Sequence, residues 1–360
     1  MKLVMVVLMM IILLHDHNYG VNGDSQPQVP CLYIFGDSLS DNGNNNKLPT
    51  LSKANYKPYE IDFSNPNANY AISPTGRFTN GRTTIDIIGQ LLGFDDFIPP
   101  FANTTGYDIV KGVNYASGGC GILPESGKYL GECISLDKQI DNHQITISKI
   151  KNKTKNDYLK KCLYHITIGN NDYLQNYLLP TIYNTSHLFT PQQFAELLIQ
   201  KYEDQVLRLY SNSSARKVAL VGLGQLGSTP AVIALYGING ITKVNQKVQL
   251  FNQNLISLVH KLNTKFSDAK FIYVNNYGIQ SGDLSSLGLT NVSESCCETN
   301  NIGLCIPSST TCDNRTSYVF WDEFHTTETL NKFTANRSYT SLHASDNYPI
   351  DIKHLAQLQF

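Results

Sequence analysis

Five short apolar runs alternate with stretches of helical periodicity along most of this chain, and that alternation leaves few folds open. The runs cover residues 32–35, 113–116, 163–168, 217–221 and 270–274. Each is too short for a helix, is fed by β-branched or aromatic residues, and runs into a turn of Gly, Asn, Asp or Ser. Apolar residues recur at helical spacing over 83–92, 135–150, 194–210 and 241–262, and a last helix is expected from 326 to about 334. Ser135 and Thr190 stand where caps belong, Pro191 in a first turn and Gly93 as a stop. Strand–helix alternation predicts α/β architecture, an α/β/α sandwich with a mostly parallel sheet of about five strands and helices on both faces. No internal repeat, linker or low-complexity tract divides the chain, so one domain is expected over 24–360. In such sheets ligands and reactive groups gather beyond the carboxyl ends of the strands.

The amino terminus has a different character. Lys2 precedes an unbroken apolar run over 3–14, too short to span a bilayer and built like the core of a signal peptide that ends near residue 23. No later stretch is apolar enough to span a membrane. With a formal net charge of −1, nothing steers the chain to nucleic acid or an anionic membrane. Secretion gives meaning to seven N-x-[ST] sequons, at Asn103, Asn152, Asn184, Asn212, Asn291, Asn314 and Asn336, which suggest a glycosylated surface. It also predicts that the eight cysteines form disulfides. Cys120 and Cys133 are close enough to staple a local loop. Cys296, Cys297, Cys305 and Cys312 fall in an aperiodic region, about 283–314, that reads as a loop held by bridges. No CxxC pair occurs, so neither zinc nor any other cofactor is expected.

Three strands end in polar turns that carry chemistry. The first offers Ser38 in Gly36-Asp37-Ser38, the second the glycines Gly119 and Gly121, the third Asn171 and Asp172. Near the carboxyl terminus, WDEFHTTE holds Asp322 and His325 three residues apart. A serine hydrolase needs a hydroxyl nucleophile, an imidazole to take its proton, a carboxylate to orient the imidazole, and donors for an oxyanion. All are present, in the order Ser, Asp, His, although the serine is not in a G-x-S-x-G elbow. The long polar segment 42–69 has no period and reads as a functional loop. Arg77 and Arg82 are expected to tie it to carboxylates and carbonyls. The exit GLGQLG, at 222–227, lacks a phosphate-loop lysine and reads as a turn. His143, His165, His187, His260, His343 and His354 have no partner motif and are expected in the core or on the surface.

GDSLSDNGN at 36–44, VNYASGGCG at 113–121, GNND at 169–172 and DEFH at 322–325 resemble, in order and spacing, the blocks of the plant GDSL esterase/lipase family of SGNH hydrolases. PTGRFTNGR at 74–82 is similar as well, so the likeness covers nearly the whole mature chain. The resemblance implies a flavodoxin-like α/β/α sandwich and a secreted ester hydrolase, outside the cell or in its wall. It implies Ser38 as nucleophile, His325 as general base and Asp322 as its orienter. The oxyanion hole would be the Ser38 amide, Asn171 and a glycine, Gly121 in preference to Gly119. One departure is Thr326, where the family usually has Pro after the histidine; it removes no catalytic group. The implied partner is an ester substrate: an acyl lipid, a polyester or an acetylated polysaccharide. An acyltransferase using the same acyl-enzyme, or a catalytically silent wall-associated binding glycoprotein, are the alternatives.

Overall fold

A computed structural model describes residues 26–64, 74–282 and 284–360. The apolar amino-terminal run and its expected cleavage region lie outside these residues, as do 65–69 of the polar segment and Asp283 at the head of the Cys-rich loop. The main elements are β1 (Leu32–Gly36), α1 (Thr84–Leu91), β2 (Gly112–Asn114), α2 (Leu136–Ile150), β3 (Leu163–Thr167) and α3 (Pro191–Ser213). They continue with β4 (Lys217–Val221), α4 (Pro230–Tyr236), α5 (Ile238–Lys265), β5 (Lys270–Val274), β6 (Asn291–Ser295) and β7 (Tyr318–Phe320), and end with α6 (Glu328–Tyr339), β8 (Asn347–Tyr348) and α7 (Ile352–Gln357).

The sheet runs in the order β2-β1-β3-β4-β5-β8. Its first five strands are parallel, and β8 adds an antiparallel two-residue edge. Strands buried on both faces carry apolar residues on both, and two cores result. On one face Tyr33, Phe35, Tyr164, Ile166 and Val218 pack against α2, α3 and α5. On the other Leu32, Ile34, Leu163, Ala219 and Ile272 pack against α1, α6 and α7. The strand and helix periods thus specify the sandwich, and the parallel five strands stand as expected.

Helix ends follow their local chemistry. Thr83 and Asp86 close a capping box on α1, and Thr190 and Gln193 do so on α3, where Pro191 occupies the first turn. Ser135 stands at the start of α2, but its hydroxyl makes no cap bond. The last long helix starts at Glu328, two residues later than expected, and runs to Tyr339. Thr326 and Thr327 are held back in extended backbone: Thr326 bridges Phe320, and the Thr327 amide donates to the Val319 carbonyl. The α4 helix, the small β6–β7 sheet, β8 and α7 have too little periodicity to be read from sequence.

Four disulfides join Cys31 to Cys162, Cys120 to Cys133, Cys296 to Cys312 and Cys297 to Cys305. The local staple at 120–133 is present, and the Cys-rich loop is bridged twice. No helix among the described residues is long and apolar enough to cross a membrane.

His143, on α2, is fully buried among Tyr33, Phe35, Tyr115 and Tyr164. Burial pushes its imidazole down to about 3. The unfolded chain takes up a proton below about pH 6.5 that the folded chain refuses, so the stability due to neutral His143 is present above that pH and is lost as pH falls towards 3. At pH 5 the loss is about 2 kcal/mol. His143→Phe is therefore expected to lose less melting temperature than the native chain between pH 7.5 and pH 5, measured by circular dichroism. Equal losses would show that this imidazole does not titrate on unfolding.

Candidate active site

The parallel register sets the site. Gly36 of β1 lies opposite Thr167 of β3, so the turn carrying Ser38 and the turn carrying Asn170, Asn171 and Asp172 leave the sheet side by side. Ser38, Gly119, Asn171 and His325 line one cavity of about 630 Å³, well within the range of small-molecule sites. Its apolar wall includes Ile85, Leu174, Leu226, Ile233 and Leu330.

Ser38 Oγ lies 2.7 Å from His325 Nε2. His325 Nδ1 lies 2.7 Å from Asp322 Oδ2 and 2.8 Å from Oδ1. With the proton on Nδ1, the imidazole donates to the carboxylate and accepts from the serine, so this tautomer satisfies both contacts. Asp322 is fully buried, and His325 and Ser38 nearly so. The Asp322 carboxylate also accepts the amides of Phe324 at 2.9 Å and His325 at 2.8 Å, and the Tyr59 hydroxyl at 2.6 Å. The Phe78 ring stands 4.9 Å from the imidazole.

Around these groups, buried side chains take the place of regular backbone pairing. Asp41 accepts the amides of Gly43, Asn44 and Gly118. Asn44 donates to the carbonyls of Asn114 and Ala116, and Asn45 to those of Ser52 and Gly118. The first turn is thereby laced to the second. Asp172 accepts the amides of Ile122 and Leu123 and the Ser126 hydroxyl, lacing the second turn to the third. Asn171 Nδ2 donates to the Cys120 carbonyl at 2.9 Å, and Asn170 Nδ2 to Asp37 at 2.9 Å. Burial pushes the carboxyls of Asp37 and Asp41 up to about 6 and that of Asp172 up to about 7.

The two glycines offered by the second turn differ in surroundings. Gly119 lines the cavity and has φ +83°, a conformation that favours glycine. Gly121 is not among the lining residues and packs so closely on Asp172 that a Cβ there would fall 2.5 Å from its carboxylate. The expected anchoring by arginine is also present. Arg77 pairs with Asp86 at 2.7 Å, and Arg82 with Glu328 at 2.6 Å. His143 and His165 lie in the core. His354 does have a carboxylate partner, Asp351 at 2.6 Å, but Asp351 is the N-cap of α7, and the His354 side chain is on the exposed face of that helix and lines no part of the cavity. Sequence reasoning missed Tyr59, Asp37 and Asp41 as neighbours of the site. Asp37 and Asp41 stand within the first block and read there as turn residues; Tyr59 lies in an aperiodic stretch with no signal.

The α/β sandwich thus carries a Ser–His–Asp hydrogen-bond chain at the carboxyl edge of its parallel sheet. The chain belongs to the GDSL-like lipase/acylhydrolase family, whose model matches residues 32–338. Three GDSL esterase/lipases of Arabidopsis thaliana are 44%, 45% and 44% identical to it over 353, 351 and 348 residues. These alignments cover 94%, 94% and 93% of this chain and 94% of each relative. The protein is thus a carboxylic ester hydrolase with ester substrates.

Arg77 holds the segment that carries Phe78. It is buried, stacks 4.4 Å from the Phe63 ring centre and makes two hydrogen bonds to Asp86. Removing one partner of a buried ion pair strands the other charge, at about 3–5 kcal/mol. Arg77→Met is expected to lose about that much in urea unfolding; a loss below about 1 kcal/mol would show that Asp86 finds another partner or water.

Proposed function

We propose that this chain is a secreted serine esterase that works through a Ser38–His325–Asp322 triad and an acyl-enzyme. The observation that carries this reading is the unbroken hydrogen-bond chain from Ser38 Oγ through the imidazole to Asp322. His325 Nε2 takes the Ser38 proton as Oγ bonds to the ester carbonyl carbon. The carbonyl oxygen becomes an oxyanion, held by the amides of Ser38 and Gly119 and by Asn171 Nδ2. As the tetrahedral adduct collapses, the C–O bond to the alcohol breaks and His325 gives the leaving oxygen its proton. Water then enters by the same steps in reverse roles and frees the acid. Asn171 spends one amide hydrogen on the Cys120 carbonyl, which leaves the second for the oxyanion. Gly119 replaces Gly121 as the glycine donor because it lines the cavity with Ser38 and Asn171. The apolar wall suits the acyl group.

Secretion is supported by the signal-like residues 2–14, by four disulfides, and by six of the seven sequon asparagines being exposed, all but Asn291.

Hydrolysis of p-nitrophenyl esters, from acetate to palmitate, tests the nucleophile. Activity is expected in the native chain and is expected to vanish in Ser38→Ala; full turnover by that variant would remove Ser38 from the chemistry. Asn171→Ala is expected to lower kcat by about 10²–10³. An unchanged kcat would take Asn171 out of the oxyanion hole.

A further inference from the structure

Tyr59 belongs to the aperiodic segment between β1 and α1, far in sequence from Asp322, yet its ring is fully buried against the site. Its hydroxyl donates to Asp322 Oδ2 at 2.6 Å and accepts the Cys305 amide at 3.1 Å. Tyr56 stands edge-on to it at 5.3 Å and donates to the Cys305 carbonyl at 2.9 Å. Two tyrosines therefore clasp the disulfide-bridged residue Cys305, but only Tyr59 reaches the carboxylate. Burial, with the Asp322 charge beside it, holds the Tyr59 hydroxyl well above its ordinary value, so it stays a neutral donor across the working pH range.

Within the triad reading above, we propose that Tyr59 is a positioning residue that sets the basicity of His325 through Asp322. The carboxylate draws on the Nδ1 proton of the imidazole. How strongly it draws depends on how much of its charge other donors have already taken up. Two backbone amides occupy Oδ1, and the phenol occupies Oδ2. Without the phenol, the carboxylate is one donor short in a dry site and holds an imidazolium more tightly. The resting enzyme then keeps His325 protonated to higher pH, and the oxygen that faces the ring is no longer fixed. The other ionisable groups around the pair are Asp37, raised by burial to about 6 and acting on His325 by charge, and Tyr56, raised to about 12. Glu323 of the same loop is engaged with Thr299. All three are present in native and variant chains, so a difference between the two isolates Tyr59.

The test is the pH dependence of kcat/KM for p-nitrophenyl butyrate in the native chain, Tyr59→Phe, Tyr56→Phe and Ser38→Ala. Tyr59→Phe is expected to lower kcat about tenfold with little change in KM, as for loss of a hydrogen bond to a charged group. Its acid limb is expected to move up by about half to one pH unit. Tyr56→Phe gives up the clasp on Cys305 alone and is expected to keep the native acid limb. Site-specific 3-fluorotyrosine at position 59 preserves the fold and donates more strongly, so its acid limb is expected to move down. This arm decides the matter if Tyr59→Phe does not fold. A native acid limb in both position-59 variants, or equal shifts in Tyr59→Phe and Tyr56→Phe, would reduce Tyr59 to a packing role. An active Ser38→Ala would instead sink the triad reading itself.

Discussion

No side chain fits at position 36. A Cβ there would fall 2.4 Å from the Thr167 carbonyl oxygen, so β1 and β3 can run in register to their carboxyl ends only because the residue is glycine. That closeness decides where everything else stands. It sets the Ser38 turn beside the Asn170–Asp172 turn, and the second turn, leaving from β2 on the other side of β1, completes the edge. Gln139 of α2 bonds both the amide and the carbonyl of Gly36 and fixes the strand end from the core side. The cavity is thus a product of sheet register first and of loop sequence second.

Beyond the strand ends the backbone has no ladder to join, and its amides and carbonyls would be left unpaired in a buried place. Short carboxylate and amide side chains answer them instead. Asp41, Asn44 and Asn45 serve the first and second turns, and Asp172 the second and third. Burial of these carboxyls without cationic partners raises their affinity for protons, and their amide donors oppose that rise. The block residues flanking the serine and the asparagine therefore build the frame, while the cavity itself is shared with residues from far away in sequence.

Much of this was legible in order along the chain. The five strands needed no long-range information, because burial on both faces makes each a short apolar run. Ser38, Asn171, Asp322 and His325 stood out as polar residues in turns or loops; the structure brings Ser38, Asn171 and His325 to one cavity and buries Asp322 against the His325 ring, outside the cavity lining. Gly119 and Gly121 could not be separated, since the difference lies in which way the backbone turns after β2, and that depends on Asp172, some fifty residues on. Tyr59 was invisible for a related reason: its partner is 263 residues away and its own neighbourhood has no period. The late start of α6 comes from a pairing between Phe320 and Thr326 that helix periodicity does not encode.

The four disulfides fall into two kinds. Three close short stretches, of 13, 16 and 8 residues, on loops that surround the site. The fourth, Cys31 to Cys162, joins the starts of two neighbouring strands across 131 residues. A chain made from its amino terminus exposes Cys31 first, then Cys120 and Cys133, and only later Cys162. Cys120 and Cys133 arrive close together and are each other's partners, whereas Cys31 waits for a residue 131 positions further on. The bond from Cys31 can therefore close only when β3 has been made and has taken its place beside β1, so it locks a pairing of strands that the chain must already have found.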